Sequence, residues 1–369
     1  MRVLLTTYLL RGGVLTHVWD LVKHLGEIGI SVSVAILRKP TGSTTSRMVH
    51  RAKTLPSLLG PIENVPFIYY QTPQELLEFC QRKQIQLIHS HSRLAFPSSL
   101  LVAKRGKIPL AVTLHGVFPW NHHYSSTLAY AKKIIAIGPA QTKGAEQYQD
   151  KISIIPNGID TKRFCPNISR SRLTSDSLKI IWFGRTSGVT SNGVLILDEA
   201  IKILRKRGIK VSAWLIGIPA GVTVKQFTVL GWRDNPVPIL QKGHIAFGHG
   251  RSLREAMACG NVGFLLGHGY GGQVNGTWFR DDHMFPVSAI PEYRLPEPEA
   301  EQIANDIVCY AKNNALLYRD RLRARDIAVK YFDVRKMITD ILDVYQETMQ
   351  PKLGRPGQQP QRGRLNDKS

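Results

Sequence analysis

The stretch RVLLTTYLLRGGVLTHVWDLVKHLGEIGISVSVAIL, residues 2–37, decides the fold. RVLLTT (2–7) reads as a strand and YLLRGG as the loop that leaves it. Val14, Val18, Leu21, Leu25 and Ile28 then recur at steps of three and four, the spacing of an amphipathic helix. SVSVAIL (31–37) is the next strand. Strand, helix, strand in that order implies a parallel sheet covered by helices, an α/β fold.

The same rhythm runs outward from there. IQLIHSH (85–91) reads as a strand, AFPSSLLVAKRG (95–106) as a helix, and IPLAVTLHG (108–116) and KIIAIG (133–138) as further strands. KISIIPNGID (151–160) closes the first half, and the polar, unpatterned residues 161–177 read as an interdomain linker. A second series follows: the strand LKIIWFG (178–184), a helix over 193–207, then strands in VSAWLIG (211–217), FTVLGW (227–232), HIAFG (244–248) and NVGFLLG (261–267). Residues 297–349 are mostly helical, and the Gly-, Pro- and Gln-rich stretch from Pro351 reads as a disordered basic tail. The expected units are a Rossmann-like domain over 1–165, a second over 166–332, a final helix over 333–350 and the tail over 351–369.

Composition narrows the function classes. The chain has 369 residues, enough for two domains, with 43% hydrophobic and 21% charged residues, which is globular. No apolar run approaches the roughly 18 residues of a membrane-spanning helix. The opening MRVLLTTYLLRGG lacks a small-residue cleavage site and runs directly into a helical pattern, so a signal peptide is not expected. The four cysteines (Cys80, Cys165, Cys259, Cys309) are far apart and form no Cys-x-x-Cys pair, so reduced thiols are expected. The formal net charge is +22, of which the tail carries +4 and the rest of the chain +18. That charge favours an anionic partner: phosphorylated ligands, an anionic membrane surface or nucleic acid. No basic motif interleaved with aromatics supports the last of these.

Several residues are candidates for a site, each with a plainer reading beside it. Gly12 and Gly13 lie between a strand and a helix start, where glycine lets backbone approach an anion held by free helix amides. An ordinary strand-to-helix turn reads the same way, and the dinucleotide fingerprint GxGxxG is absent. His115 in TLHGVFPW follows a strand, the edge at which open α/β sheets bind ligands; a satisfied turn histidine is the alternative. Nearby Trp120, His122 and His123 suit a sugar pocket, although the two histidines read better as solvated loop residues. His89 and His91 alternate without a carboxylate nearby and make a weak metal motif. Arg185 in IIWFGRTSGVTSNG stands just past a strand and before a flexible loop, suited to bidentate contact with a diphosphate or to nothing more than a surface turn.

The stretch AFGHGRSLREAMACGNVGFLLG (246–267) leads through Gly248 and Gly250 into a helix whose start carries Arg251, Ser252, Arg254 and Glu255. Helix amides with Arg251 suit phosphate, and a carboxylate one turn in suits the two hydroxyls of a ribose. A short helix with an early glutamate favoured by the dipole is the plainer reading.

In order, GG-x-x-x-H (12–17), the turn at 113–116, IIPNGIDTKRF (154–164), Gly184–Arg185, and REAMACG (254–260) followed by GYGG (269–272) resemble the GT-B glycosyltransferases of the large retaining family four. The resemblance covers about residues 1–349. It implies two Rossmann-like domains facing a cleft, the first for the acceptor and the second for a nucleotide sugar, with a last helix crossing back to the first domain. It places Gly13 amides near the donor phosphates, His115 on the donor sugar, Arg185 on the diphosphate and Glu255 on the ribose. It also implies a retaining transfer with neither cofactor nor metal, attack coming from the leaving-group face. The expected acceptor is a cell-surface glycan, glycolipid or related molecule. The expected location is the cytoplasm, with peripheral contact to an anionic inner membrane face and no nucleic acid.

The sequence also departs from the family pattern. The usual glutamate, separated from Glu255 by seven intervening residues, is replaced by Phe247. The usual lysine before the helix glycine is replaced by Asn192, and the usual proline after the EAMA segment is missing at Val262. Arg251 and Arg254 are placed to supply the missing cation. The alternative is a GT-B protein that binds a sugar nucleotide or glycan without turnover.

Overall fold

A computed structural model of the chain describes residues 1–8, 13–38, 65–167, 177–279 and 286–350. The expected loop residues 9–12, including Gly12, most of the expected linker, and the basic tail lie outside them. The first unit contains β1 (Arg2–Tyr8), α1 (Gly13–Glu27), β2 (Ser31–Leu37), β3 (Phe67–Tyr70), α2 (Pro73–Arg82), β4 (Leu87–Ser90), α3 (Phe96–Gly106), β5 (Leu110–Leu114), β6 (Lys133–Ala136) and β7 (Ile152–Ile154). Its strands form one parallel sheet in the order β3-β2-β1-β4-β5-β6-β7. Both faces are covered by helices, which is why strands such as β1 are near-continuous apolar runs rather than alternating ones.

The second unit contains β8 (Leu178–Phe183), α4 (Ser191–Lys206), β9 (Val211–Ile216), β10 (Thr228–Gly231), β11 (Ile245–Gly248), α5 (Gly250–Ala258), β12 (Val262–Leu266), β13 (Tyr270–Gln273), α6 (Ala300–Lys312) and α7 (Asn314–Phe332). Its sheet order is β10-β9-β8-β11-β12-β13, with β13 the antiparallel edge strand. Trp182, Phe247 and Phe264 sit side by side in register on three neighbouring strands and are buried in one core with the apolar face of α4.

The last helix, α8 (Val334–Met349), buries Val334, Met337, Ile338, Ile341, Val344 and Tyr345 in the core of the first unit, against β1, β2 and α1. The return crossing is fastened to the outgoing one. Ile159 N–H donates to Phe332 O at 2.8 Å and Val334 N–H donates to Ile159 O at 2.9 Å. Asp333 caps α8 by accepting from the Arg335 amide at 2.8 Å and is gripped by the Thr161 hydroxyl and the Arg335 guanidinium. Arg325 on α7 donates to Thr161 O at 3.0 Å and Phe164 O at 2.7 Å.

Three details differ from the sequence reading. Ile28 lies past the end of α1 and is 51% exposed, because the helix stops at Glu27 and Gly29 turns the chain with φ +80°. Phe164, in the stretch read as linker, is buried in the second unit's core beside Ile159. Strand β3 and helix α2 were not expected.

At Gly158 an added Cβ would stand 2.5 Å from the Val334 backbone, whereas at Gly26 on the outer side of α1 it would meet open space. Gly158→Ala is therefore expected to lower stability by about 1–3 kcal/mol. Gly26→Ala should be neutral or raise it by about 0.5–1 kcal/mol. Denaturant midpoints of the two variants check this; equal midpoints would show that the two crossings do not depend on close backbone contact.

Candidate functional site

Three strand-to-helix turns, β1 to α1, β8 to α4 and β11 to α5, end at helices with no acidic residue in the first turn. The starts of α4 and α5 also lack a capping side chain. Three other helix starts are closed, Thr72 capping α2, Asn313 α7 and Asp333 α8, whereas α3 is as open as the first set and α6 carries Glu301 in place of a cap. The first amides of α4 and α5 are already taken by backbone, Ser191 N–H by Gly188 O and Gly250 N–H by Val287 O at 2.6 Å, so what suits these starts to an anion is the uncompensated helix dipole. Gly13 is exposed, with open space where a side chain would be, and Gly250 opens α5 with φ +63° and open space likewise. Gly248 has φ +153° and a Cβ there would sit 2.7 Å from Phe183 O, so the ends of β8 and β11 meet through glycine. Asn192 is exposed in the first turn of α4. Arg185 is exposed just past β8 and forms no ion pair among the described residues. Burial, and then the nearby Arg185 charge, push the His249 imidazole down to about 4.

The two arginines on α5 do different things. Arg251 donates to Glu255 at 2.6 Å, to Asp20 on α1 at 2.5 Å and to Gly158 O at 3.1 Å. Burial pulls its pKa down, but the two carboxylates outweigh that and hold it above the usual value. Glu255 is itself buried, and burial keeps its carboxyl above the usual range because Arg251 is shared with Asp20. Arg254 donates to Asn157 O at 2.7 Å and lies over the Phe332 ring at 5.0 Å. It has no ion-pair partner among the described residues, and its buried Nε and the Asn157 Oδ1 have no hydrogen-bond partner. Burial and then the neighbouring Arg251 bring its pKa down to about 10, so it remains a cation at neutral pH. Ser252 is engaged locally, its hydroxyl donating to His249 O at 3.2 Å.

On the first unit's side, His115 follows β5 and His91 follows the adjacent β4, with His91 Nδ1 3.4 Å from His115 Nε2. His17 joins them from α1, its ring centre 4.9 Å from that of His115 and 5.3 Å from that of His91. Burial holds His115 down at about 3 and places His17 and His91 well below the ordinary value. His89 lies behind, paired at 2.7 Å with both the Tyr345 and Thr113 hydroxyls. Trp120 is buried, its indole N–H donating to Gln141 O at 3.1 Å, so it is core; His122 and His123 are exposed, as the solvated reading had them.

The interface thus brings Arg251, Arg254 and Glu255 against Asp20, Asn157 and Gly158 of the first unit. A second contact, Ala140 N–H to the Tyr293 hydroxyl at 3.3 Å, spans the same interface. Arg185, Asn192 and Gly13 keep open surroundings. Sequence reasoning gave no role to His17, Asp20 or Asn157. The one signal for His17 is its place four residues past Gly13, on the buried face of α1. A separate cavity of about 540 Å³ at the β13 edge, lined by Tyr270, Trp278 and Leu295 among others, touches none of these residues.

Two Rossmann-like units meeting across a cleft, with the last helix returned to the first, constitute the GT-B architecture. Similar solved structures have it. A glycosyltransferase from Rickettsia africae is 16% identical with TM-score 0.67, covering 94% of this chain and 98% of its own. Anabaena HepE in complex with UDP and glucose is 16% identical with TM-score 0.66, covering 94% and 99%. S. aureus TarM in complex with fondaparinux, α-GlcNAc-glycerol and UDP is 9% identical with TM-score 0.61, covering 93% and 99%. Residues 11–163 match the family described as Glycosyltransferase Family 4. None of the curated proteins matches the chain in sequence. No described helix is long and apolar enough to cross a membrane.

Burial holds His244 down at about 3 and His249 at about 4, against an ordinary 6.5. The unfolded chain therefore takes up these protons first as pH falls. Stability present above pH 6.5 should be lost between there and about pH 4. The slope is about 1.4 kcal/mol per pH unit for each histidine. Melting curves of the wild type, His244→Gln and His249→Gln from pH 8 to 5 check it; equal slopes in all three would refute the assignment.

Proposed function

We propose that the protein is a retaining glycosyltransferase of family four that moves a sugar from a nucleotide-sugar donor to a cell-surface glycan, glycolipid or related acceptor. The observation that carries this reading is Arg254: a cation without a carboxylate partner among the described residues, its Nε unpaired, in the second turn of α5 on the interface between the two units. A buried polar atom left unpaired in a native fold needs an explanation, and a bound ion is one. An anion agrees with the acid-free starts of α1 and α4 and with the exposed Arg185 that precedes α4. The match to Glycosyltransferase Family 4 over residues 11–163 supports the same class. HepE and TarM, which share the fold, are seen with UDP, so a uridine diphosphate sugar is the first donor to test.

In the proposed reaction the bond from the anomeric carbon to the diphosphate oxygen breaks toward an oxocarbenium-like state. Arg185, Arg254 and the α1 amides near Gly13 stabilise the charge that grows on the departing phosphate. His115 contacts the donor sugar, Glu255 the ribose, and Asn192, Gly250 and Ser252 line the donor path. The acceptor hydroxyl attacks from the leaving-group face and passes its proton to the phosphate. No metal and no cofactor take part. Arg251, spent on Asp20 and Glu255, acts by holding α5 against α1 and by orienting Glu255. The basic surface holds the protein to the anionic inner face of the membrane, in the cytoplasm.

One feature favours a second reading, binding without turnover. Phe247 is fully buried and stacks on Phe264 at 5.1 Å, and Asn192 is neutral, so two charged groups usual in the family are absent.

A thermal-shift panel of nucleoside diphosphates and nucleotide sugars, with UDP-glucose first, tests the class. A ligand at 100 times its Kd should add about 2.7 kcal/mol of stability. Slow hydrolysis of the stabilising sugar supports the transferase; an intact donor, even with glycan acceptors, supports the second reading; no stabilisation by any nucleotide sinks both. Arg185→Ala and Arg254→Ala should each weaken donor binding by about 1.5–3 kcal/mol, the worth of a charged hydrogen bond. Arg251→Ala should instead lower stability by about 3–5 kcal/mol, since it strands two buried carboxylates. Unchanged donor affinity in both Arg185→Ala and Arg254→Ala would overturn the phosphate assignment.

A further inference from the structure

We propose that His17, His91 and His115 bind a zinc ion, and that zinc there inhibits sugar transfer. The topology makes the cluster. Strands β1, β4 and β5 are neighbours, His91 and His115 each stand just past the end of their strand, and His17 comes from the helix that follows β1. One ring nitrogen from each histidine lies within 4.8 Å of the other two. A tetrahedral zinc with bonds of about 2.0–2.1 Å needs its ligand nitrogens about 3.3 Å apart. The His91–His115 pair is already at 3.4 Å, so His17 is the ligand that has to close in.

The unpaired atoms point the same way. His17 and His91 are each 1% exposed. Neither His17 nitrogen nor His91 Nε2 makes a hydrogen bond of good geometry, although the Asn157 side chain lies close enough to His17 to favour its protonated form. The neighbouring His89 shows what a purely structural histidine looks like here, with a hydroxyl on each nitrogen and its ring packed 3.9 Å from that of His91. Neutral imidazoles are the ligand form, and a cation takes one lone pair from each of the three rings. The donor set is all nitrogen, which suits zinc and excludes magnesium and calcium, whose ligands are oxygens. Three ligands leave the fourth position to water. The inhibitory half rests on the proposed function, because His115 is the group set there against the donor sugar, and a coordinated imidazole is lost to that contact. The binding half does not depend on it.

The test uses the full chain, stripped with a chelator and titrated with zinc against a chromophoric competitor. One zinc per chain is expected, with Kd raised at least tenfold in His17→Gln and in His91→Gln. X-ray absorption of the zinc-loaded wild type, which needs no variant to fold, should show three imidazoles and no sulfur. Failure of the wild type to hold zinc, sulfur in the shell, or undiminished binding in both variants would overturn the site, the last by placing zinc on exposed histidines such as His122 and His123. Wild-type donor turnover should then be half inhibited near the measured zinc Kd, and His17→Gln should escape that inhibition. Turnover indifferent to bound zinc would overturn the inhibitory half alone. If no donor is ever turned over, the transferase reading fails while the zinc titration still decides the site.

Discussion

The chain passes between its two sheets twice, and the two passages are held together by backbone hydrogen bonds between Ile159 and the Phe332–Val334 segment. Everything at the interface depends on this fastening. It fixes residues 157–160, and those residues supply the carbonyls that Arg251 and Arg254 bind. It starts α8 at Asp333, whose carboxylate is held well down at about 2: Arg335 and Thr161 outweigh the upward effect of burial. It also explains Gly158, where a side chain has no room beside Val334. The sequence IPNGID is thus a structural joint first, and the site is built on its far side.

From that joint follows the division of labour on α5. Two arginines three positions apart on one helix meet different surroundings. Arg251 reaches α1 and finds Asp20, so its charge is neutralised within the fold. Arg254 reaches a carbonyl and an aromatic face and, among the described residues, no carboxylate, so its charge is not neutralised by them. The same contrast holds for the helix starts, where capped ends are closed and the ends at the carboxyl edges of β1, β8 and β11 carry no acid. A net charge of +22 is too coarse to locate a site; the proposed one rests on the unpaired guanidinium of α5.

Much of this was legible in order along the chain and little of it across the chain. Period and strand length marked β1, α1 and β2 because buried parallel strands are apolar runs and a covering helix repeats at three and four. Helix α2 was missed although QTPQELLEF carries its own signal: Thr72 accepts from the Glu75 amide and Glu75 accepts from the Gln71 amide. Strand β13 was seen only as a glycine motif, since its short YGGQ run has no period to read. At the site, Arg185, His115 and the α5 start were visible because each sits just past a strand. The convergence of His17 with His91 and His115 was not, since it depends on strand order β1-β4-β5, which spacing alone does not encode. Nor did the sequence distinguish Arg251 from Arg254, because Asp20 is remote in the chain and adjacent only in the fold.

Phe247 shows why one departure from the family pattern is not a local loss. It pairs with Trp182 on one side and Phe264 on the other, so three aromatics run across β8, β11 and β12 at the centre of the second sheet. A carboxylate at that point would be buried among apolar rings with no partner, at a cost of several kcal/mol. Restoring the glutamate therefore would not restore a ligand contact; it would open the core that holds β11 in place. Gly248 and α5 follow β11 directly, so the same aromatic row that removes the carboxylate also positions the uncapped helix start and Arg254. The proposed donor contacts accordingly lie beyond the strand ends, among cations and backbone amides rather than on β11.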